Sequence, residues 1–272
     1  RVTAGGGLFA TLDGLENADG VIVADGRVVL QATGLLNNTH GTVASLRSDV
    51  SITAHDINTD YGAITGKTAL SLTTVPGGTL TATGAYLQTD GTLALTSGGD
   101  LSLAGGNVLA GALNLSAAGD LYAPYSILVG TDAIKLDAGG LLTLAGNGST
   151  GLVVSHGNIT VNAGAIDSNA AILQTDRDLA INVAGDLRGQ GTLFAAHDVR
   201  LSTGSLLENT GATFLSDTSL LLKSAGDITI DGSSLLANDN ITVDAGGALS
   251  ANDIKSGFTR DVDGAITVVS EL

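Results

Sequence analysis

Pairs of apolar residues separated by one position return at a nearly constant interval along almost the whole chain. The first member of each pair is at Leu8, Val28, Val50, Leu70, Leu93, Leu113, Ile134, Ile159, Leu179, Val199, Leu220, Ile241 and Ile266. A period of about 20 residues is typical of a solenoid, in which each repeat buries its apolar residues only against its neighbours. The pattern therefore predicts an elongated rod and not a globule with one cleft.

Each repeat contains two further apolar sites. After Leu179 they are Leu187 and Leu193, and short turns rich in Gly, Asn and Asp separate the three. This pattern predicts an all-β parallel β-helix with three short strands per coil and apolar side chains inside. The general preference for right-handed parallel crossovers favours a right-handed solenoid, although the period itself does not give the handedness. About 12–13 coils of about 20 residues, stacked about 4.8 Å apart, would form one continuous segment over residues 1–272, roughly 55–65 Å long.

The turns between the apolar sites also repeat. Ala-Gly-Asp stands before an apolar strand residue at Ala118, Ala184 and Ala225. We expect its glycine to adopt the left-handed backbone conformation and its aspartate to accept bonds from backbone N–H groups. A second pattern, Leu-x-Asn-x-x-Gly-x-apolar, begins at Leu15 and, more loosely, at Leu35. Between residues 74 and 126 two registers fit equally well, one through Leu70, Leu93 and Leu113 and the other through Leu80, Leu101 and Leu121.

Some residue spacings predict contacts between adjacent coils. Phe194 and Phe214 are separated by one period of the repeat, so we expect their rings to stack inside the rod. Asn162 and Asn182 share this spacing and are predicted to form an amide ladder that fixes the register. The tyrosines are candidates either for external partner contacts or for packing at turns: Tyr61, Tyr86, Tyr122 and Tyr125.

Two insertions interrupt the period. The first is the stretch 147–150, and the second runs from Lys255 to Asp263. Insertions in solenoids map to loops on one face, which is often the binding face. The candidate partner-contact residues in these loops are Asn147, Ser149, Lys255, Phe258 and Arg260.

The charge of the chain narrows the choice of partners. The formal net charge is −16, and only 11 Lys and Arg residues are present, which argues against binding to nucleic acid. The same acidity should keep rods apart, so we expect a monomeric rod. No apolar run approaches the roughly 18 residues of a membrane span, so no membrane insertion is expected. The chain has no Cys, which excludes disulfides, and it opens within repeat-like sequence, so we expect a fragment of a much larger protein.

Candidate catalytic chemistry is concentrated at Asp176, Arg177 and Asp178, with His197 and Asp198 about one coil later. A carbohydrate-active β-helix enzyme needs carboxylates that converge in a groove beside a basic residue. Asn and Ser occupy the corresponding turns of other coils, which favours a turn-capping role. The histidines lack metal-ligand spacing and the calcium-binding nonapeptide is absent, so we predict no enzyme, no metal and no cofactor.

The combination of Gly-Asp-Leu-x-Leu, Leu-x-Asn-x-x-Gly-x-Ile and Ala-Gly-Gly at this period resembles the repeats of filamentous hemagglutinin-like exoproteins. The matching pieces are the stretches 99–106, 35–45 and 158–164. The resemblance covers essentially the whole chain.

This resemblance implies a secreted or cell-surface protein of a Gram-negative bacterium, exported by an outer-membrane two-partner secretion transporter. Members act as adhesins or as stalks of contact-dependent growth inhibition effectors. We therefore expect a shaft that presents recognition or toxin modules and meets a host or bacterial surface receptor. The alternatives are a segment that binds a receptor in its own right and, less favoured, a carbohydrate-active β-helix enzyme.

Overall fold

The computed structural model describes residues 1–144 and 151–253, and the backbone of 255–260 and 266–271. Within these ranges the chain consists of strands and turns without a helix. The strands form three parallel faces of a solenoid, because each strand pairs with its counterpart one coil earlier and one coil later. Faces 1, 2 and 3 follow one another along the chain in every coil.

Most strands belong to a single face. Face 1 contains β1 (Val2–Ala4), β4 (Val21–Ala24), β7 (Thr42–Ser45), β10 (Ala63–Gly66), β13 (Tyr86–Thr89), β19 (Leu152–Ser155), β21 (Ile172–Thr175), β24 (Thr192–Ala195), β27 (Thr213–Ser216), β30 (Ser234–Ala237) and β33 (Lys255–Arg260). Face 2 contains β2 (Leu8–Leu12), β5 (Val28–Ala32), β8 (Val50–Ala54), β11 (Ala69–Thr74), β14 (Thr92–Ser97), β22 (Leu179–Val183), β25 (Val199–Thr203), β28 (Ser219–Ser224) and β31 (Asn240–Ala245). Face 3 contains β3 (Leu15–Glu16), β6 (Leu35–Asn37), β9 (Asp56–Asn58), β12 (Leu80–Thr81), β15 (Leu101–Ser102), β17 (Leu121–Tyr122), β23 (Leu187–Arg188), β26 (Leu207–Glu208), β29 (Ile228–Thr229) and β32 (Leu249–Ser250).

Three long strands continue through corners and serve more than one face. They are β16 (Asn107–Ala117), β18 (Ile127–Thr143) and β20 (Ile159–Asp167). The last strand, β34 (Ile266–Glu271), pairs antiparallel with β33. We call the turn between faces 1 and 2 corner 1, that between faces 2 and 3 corner 2, and that between face 3 and the next face 1 corner 3.

The register confirms the apolar period from Leu8 to Ile241. These twelve positions form one uninterrupted column on face 2, each paired with the next. Twelve coils at about 4.8 Å give a rod of about 58 Å. Between residues 74 and 126 the two registers that fitted the sequence equally well both correspond to columns of stacked residues, on different faces. Leu80, Leu101 and Leu121 stack on face 3, while Leu70, Leu93 and Leu113 stack on face 2.

The core lies inside the three faces, since inward and outward side chains alternate along each strand. One cluster of buried apolar residues extends from Ile22 to Ala237. The predicted ring stack of Phe194 and Phe214 is wrong. Phe214 is fully buried and pairs with Leu193, whereas Phe194 pairs with Leu215 on the outside. The two phenylalanines thus differ by one position in the register of the paired strands. Because a shift of one residue moves a side chain to the opposite face of a strand, one ring points inward and the other outward.

The last predicted coil, opening at Ile266, is also wrong. β33 pairs parallel with β30 and so continues face 1, but β34 then runs antiparallel to β33, with Ile266 opposite Arg260. Parallel stacking therefore ends in an antiparallel pair, and twelve coils are the appropriate count for face 2.

Candidate functional site

The acidic cluster singled out in the sequence lies at corner 1, where its aspartates cap the neighbouring coil. The backbone N–H of Asp178 donates to Oδ1 of Asn158 over 3.3 Å, and that of Asp198 donates to Oδ1 of Asp178 over 3.2 Å. Asp198 in turn accepts from the hydroxyl of Thr218 and from the N–H of Ser219. The Thr218 hydroxyl holds the pKa of the Asp198 carboxyl below its ordinary value of 3.8. Capping is thus confirmed, and Asp198 is a stable carboxylate that does not suit a general acid.

Two histidines pair with aspartates at the same corner. Nδ1 of His156 lies 2.6 Å from Oδ2 of Asp176, and Nδ1 of His197 lies 3.9 Å from Oδ1 of Asp178. All four side chains are largely open to solvent. In the part of the chain that the structure describes, no three His, Cys, Asp or Glu residues come together as a group that could hold a metal ion.

The Ala-Gly-Asp turns form corner 2, where the expected role of the aspartate is confirmed for Asp120 and Asp227 and that of the glycine is wrong. Oδ1 of Asp120 accepts from the N–H of Leu141 over 2.7 Å, and Oδ1 of Asp227 accepts from that of Ala248 over 2.8 Å. The glycines of these turns do not have positive φ. Gly226 is needed for close packing instead, because a Cβ on it would overlap the carbonyl oxygen of Ser205.

Most of the described residues with positive φ lie at corner 3, with Gly77 at corner 2 as the exception. Gly189 lies at corner 3 with a φ of 140°, and the others form one group. They are Asp19, His40, Tyr61, Gly84, Gly105, Tyr125, Ala170, Gly211, Gly232 and Asp253, with φ between 53° and 72°. Inside this corner Asn17 Nδ2 donates to Asn38 Oδ1 over 2.6 Å, and Asn38 Nδ2 donates to Thr59 Oγ1 over 3.0 Å. The loose second pattern is displaced by one residue, because Leu15 pairs with Leu36 and not with Leu35. A buried polar ladder therefore fixes corner 3 in its first three coils, whereas buried Ala82 and Leu103 occupy the same position in the next two.

The tyrosines lie on the outside of the rod. Tyr61 is 62% exposed, and its ring stacks on that of His40 with centroids 5.4 Å apart. Tyr86, Tyr122 and Tyr125 are also exposed, and the hydroxyl of Tyr86 donates to Gln88. Their exposure is compatible with partner contacts, which remain a prediction.

The amide ladder predicted for Asn162 and Asn182 is confirmed and lies on the outer side of face 2. Asn182 Nδ2 donates to Asn162 Oδ1 over 3.1 Å, and Asn162 Nδ2 donates to Asp137 Oδ1 over 2.7 Å. Further along the same column, Lys223 Nζ lies 3.1 Å from Oδ2 of Asp244. These outer contacts connect successive coils without using the core.

A groove on face 3 that contains several charged residues was missed by the sequence reasoning. It has a volume of about 630 Å³ and includes Asp167, Asp186, Arg188 and Glu208 in its lining. Asp167, Arg188 and Glu208 occupy one outward column. The Arg188 guanidinium lies 3.1 Å from Asp186 and 3.4 Å from Glu208. A charged residue directly after the face 3 leucine or isoleucine in three successive coils was the signal that could have revealed it.

The predicted partner-contact loops fall only partly within the described residues. Asn147 and Ser149 lie outside them. Lys255, Phe258 and Arg260 belong to β33, so their stretch is not an inserted loop, and the loop interpretation is wrong for them. Partner contact by any of the five residues stays a prediction.

Searching the described residues for a helix that is long and apolar enough to cross a membrane finds none. A family model described as Hemagglutinin repeat matches residues 13–123. A second, described as Haemagglutinin repeat, matches residues 129–191 and 178–257. Comparison with curated proteins and with solved structures gives no match.

Proposed function

The chain belongs to the filamentous hemagglutinin-like repeat family, and on this basis we propose that it is a segment of a shaft that holds recognition or toxin modules away from a bacterial surface and mediates adhesion. The family matches together cover most of the chain, and the solenoid is the architecture that such a shaft requires. The single observation that carries the proposal is the column of twelve paired positions from Leu8 to Ile241, because each coil adds length with little demand on sequence.

The proposed route to the surface is two-partner secretion through an outer-membrane transporter of a Gram-negative bacterium. The absence of Cys supports this route, since no disulfide could form before the unfolded chain crosses the membrane. Coils that contact only their neighbours also suit a chain that folds progressively as it emerges. The other proposed partner is a receptor on a host or bacterial cell.

The shaft role can be tested by removing one coil from the full-length protein in its bacterium. Deleting residues 179–198 brings Val199 to the position of Leu179, with which it is in register. We expect secretion, surface display and adhesion to persist. Deleting residues 179–188 is the control, because it breaks the register and should abolish display of the shaft beyond it.

A contrary result would be lost adhesion in the 179–198 deletion with undiminished surface display. That outcome would assign receptor binding to this coil, as in the alternative of a receptor-binding segment. Saturable binding of the isolated chain to receptor-bearing cells would identify this alternative directly.

The groove around Arg188 supports a second candidate function, action on a carbohydrate. Asp167 and Glu208 are two coils apart, which corresponds to about 9.6 Å between strands and lies near the carboxylate spacing of inverting glycosidases. Arg188 stands between them, as a substrate-holding basic residue would. The groove is open to solvent, and the Arg188 guanidinium is already paired with Asp186 and Glu208.

This candidate predicts new reducing ends when the chain is incubated with polysaccharides. If such activity were abolished by Glu208→Gln and preserved by Thr229→Ala, the proposed shaft function would be wrong and the chain would be an enzyme. Thr229→Ala is the control because Thr229 follows Glu208 in the same column. We expect no such activity from a shaft.

A further inference from the structure

Between β4 and β30, face 1 has an outer surface without charge. Eleven strands or strand segments, from β4 to β30, present two outward positions each. The outer column nearer corner 3 is Val21, Thr42, Ala63, Tyr86, Asn107, Ile127, Leu152, Ile172, Thr192, Thr213 and Ser234. The column nearer corner 1 is Val23, Ala44, Thr65, Gln88, Leu109, Val129, Val154, Gln174, Phe194, Leu215 and Leu236. Neither column contains Asp, Glu, Lys or Arg, although the chain carries a net charge of −16.

The other two faces differ clearly. Outward positions of face 2 include Lys135, Asp137, Arg200, Lys223 and Asp244. Those of face 3 include Glu16, Asp167, Arg188 and Glu208. Over the coils from β4 to β30, the charges of the rod therefore lie on faces 2 and 3 and at the corners, and face 1 is the exception.

Part of face 1 is also apolar on its outside. Six consecutive coils carry Leu109, Ile127, Val129, Leu152, Val154, Ile172, Phe194 and Leu215, which we call the apolar stripe. Ile127 is 40% exposed, and the other members are partly exposed because their strand neighbours shield them. At about 4.8 Å per coil and about 13 Å per four-residue strand, these six coils cover roughly 370 Å² of face 1, and the stripe supplies two thirds of their outward positions. The apolar patch is comparable to the largest one on an ordinary monomer, and such a patch is often functional.

We propose that a second copy of this chain packs against face 1, so that two rods associate side by side through the apolar stripe. Two copies with a net charge of −16 repel each other wherever their charged surfaces meet, and face 1 alone lets them approach without opposing charges across the contact. Flat parallel sheets pack face to face about 10 Å apart, and an isologous pair would place the same stripe on both sides.

The available area sets the strength of this association. All eleven coils of face 1 offer roughly 690 Å² per copy, somewhat below the roughly 800 Å² of a standard interface. The isolated chain should therefore form a weak, reversible dimer in the range from about 10 µM to about 1 mM. In a longer shaft the contact would grow with the number of coils. This inference revises the expectation of a monomeric rod.

Sedimentation equilibrium of the 272-residue chain tests the proposal. The weight-average mass should rise from 26.8 kDa toward twice that value between about 10 µM and about 1 mM. It should rise at lower protein concentration in about 0.5 M salt than in about 0.05 M salt, because salt screens the repulsion between acidic rods. A charged contact would show the opposite salt dependence.

Matched variants locate the interface. Val154→Lys places a charge in the middle of the apolar stripe and should weaken association about tenfold or more. Thr96→Lys adds the same charge to an exposed outward position of face 2, between Thr73 and Ser116, and should preserve it within about twofold. Ile127→Lys, at the most exposed member, is the second stripe variant if Val154→Lys lacks the native far-ultraviolet circular dichroism of a β-protein.

Two results would overturn the proposal. One is a wild-type chain that stays monomeric at about 1 mM in both salts, which would leave face 1 for a partner of another chemistry. The other is association of the folded stripe variants that equals that of Thr96→Lys.

Discussion

Replacing one of two phenylalanines in adjacent coils tests the inward and outward assignment of the strands. Phe214 is fully buried and stacks between Leu193 and Leu235 on the inner side of face 1. Phe214→Ala leaves a cavity in a core that neighbouring coils cannot easily close, and we expect a loss of about 3–5 kcal/mol in the free energy of unfolding. Phe194 lies outside and is only partly covered, so Phe194→Ala should cost about 1 kcal/mol or less.

Urea denaturation followed by far-ultraviolet circular dichroism measures both variants. Protein concentrations below about 10 µM keep association through face 1 out of the comparison. The midpoint should fall far more for Phe214→Ala than for Phe194→Ala. Equal losses, or a larger loss for Phe194→Ala, would refute the register, because a slip of one residue exchanges the two environments.

Other predictions concern the corners. Gly226→Ala should destabilise the rod by about 1–3 kcal/mol because its Cβ meets the Ser205 carbonyl, whereas Gly5→Ala, with open space around it, should be nearly neutral in the same denaturation assay. Folding lowers the pKa of the Asp198 carboxyl, so the ionised carboxylate stabilises the folded chain. This contribution to the free energy of unfolding is complete above about pH 4 and is lost as pH falls through the folded pKa. Asp198→Asn keeps a side-chain oxygen as hydrogen-bond acceptor, so the free energy of unfolding should depend less on pH below about pH 4. Asp198→Ala removes the acceptor and should lower the free energy of unfolding by about 1 kcal/mol at neutral pH. Unaltered acid sensitivity of Asp198→Asn in pH-dependent unfolding would contradict this assignment.

The coil architecture was predictable because one physical requirement repeats in every coil. Each strand must place apolar residues inward at alternate positions. The column that contains Leu8, Val50 and Ile241 is therefore visible in the sequence as a repeated apolar pair. The capping role of Asp198 was predictable for the same reason, since Asn158 occupies the same corner one coil before Asp178.

The errors arise where one residue changes the geometry. Leu207 and Phe214 are separated by one position more than Leu187 and Leu193, and this longer corner places Phe214 opposite the inward Leu193 and not opposite the outward Phe194. The packing role of Gly226 depends on the neighbouring coil, which local sequence does not display.

The groove at Arg188 and the uncharged side of face 1 were missed for a common reason. Both are properties of columns, and a column becomes visible only when the register of each coil is known. Outward Val154 and Phe194 resemble core residues in the sequence, because their inward neighbours Val153 and Leu193 are equally apolar.

Distances between spin labels along one outer column test the stacked shaft most directly, and the absence of native Cys makes the labelling specific. Thr53→Cys is combined in turn with Asp137→Cys, Asn182→Cys and Ser202→Cys, which lie four, six and seven coils further along face 2. Double electron–electron resonance should give backbone separations of about 19, 29 and 34 Å, apart from the reach of the labels, and thus a linear increase of about 4.8 Å per coil. Distances that level off or change order with coil number would contradict the shaft.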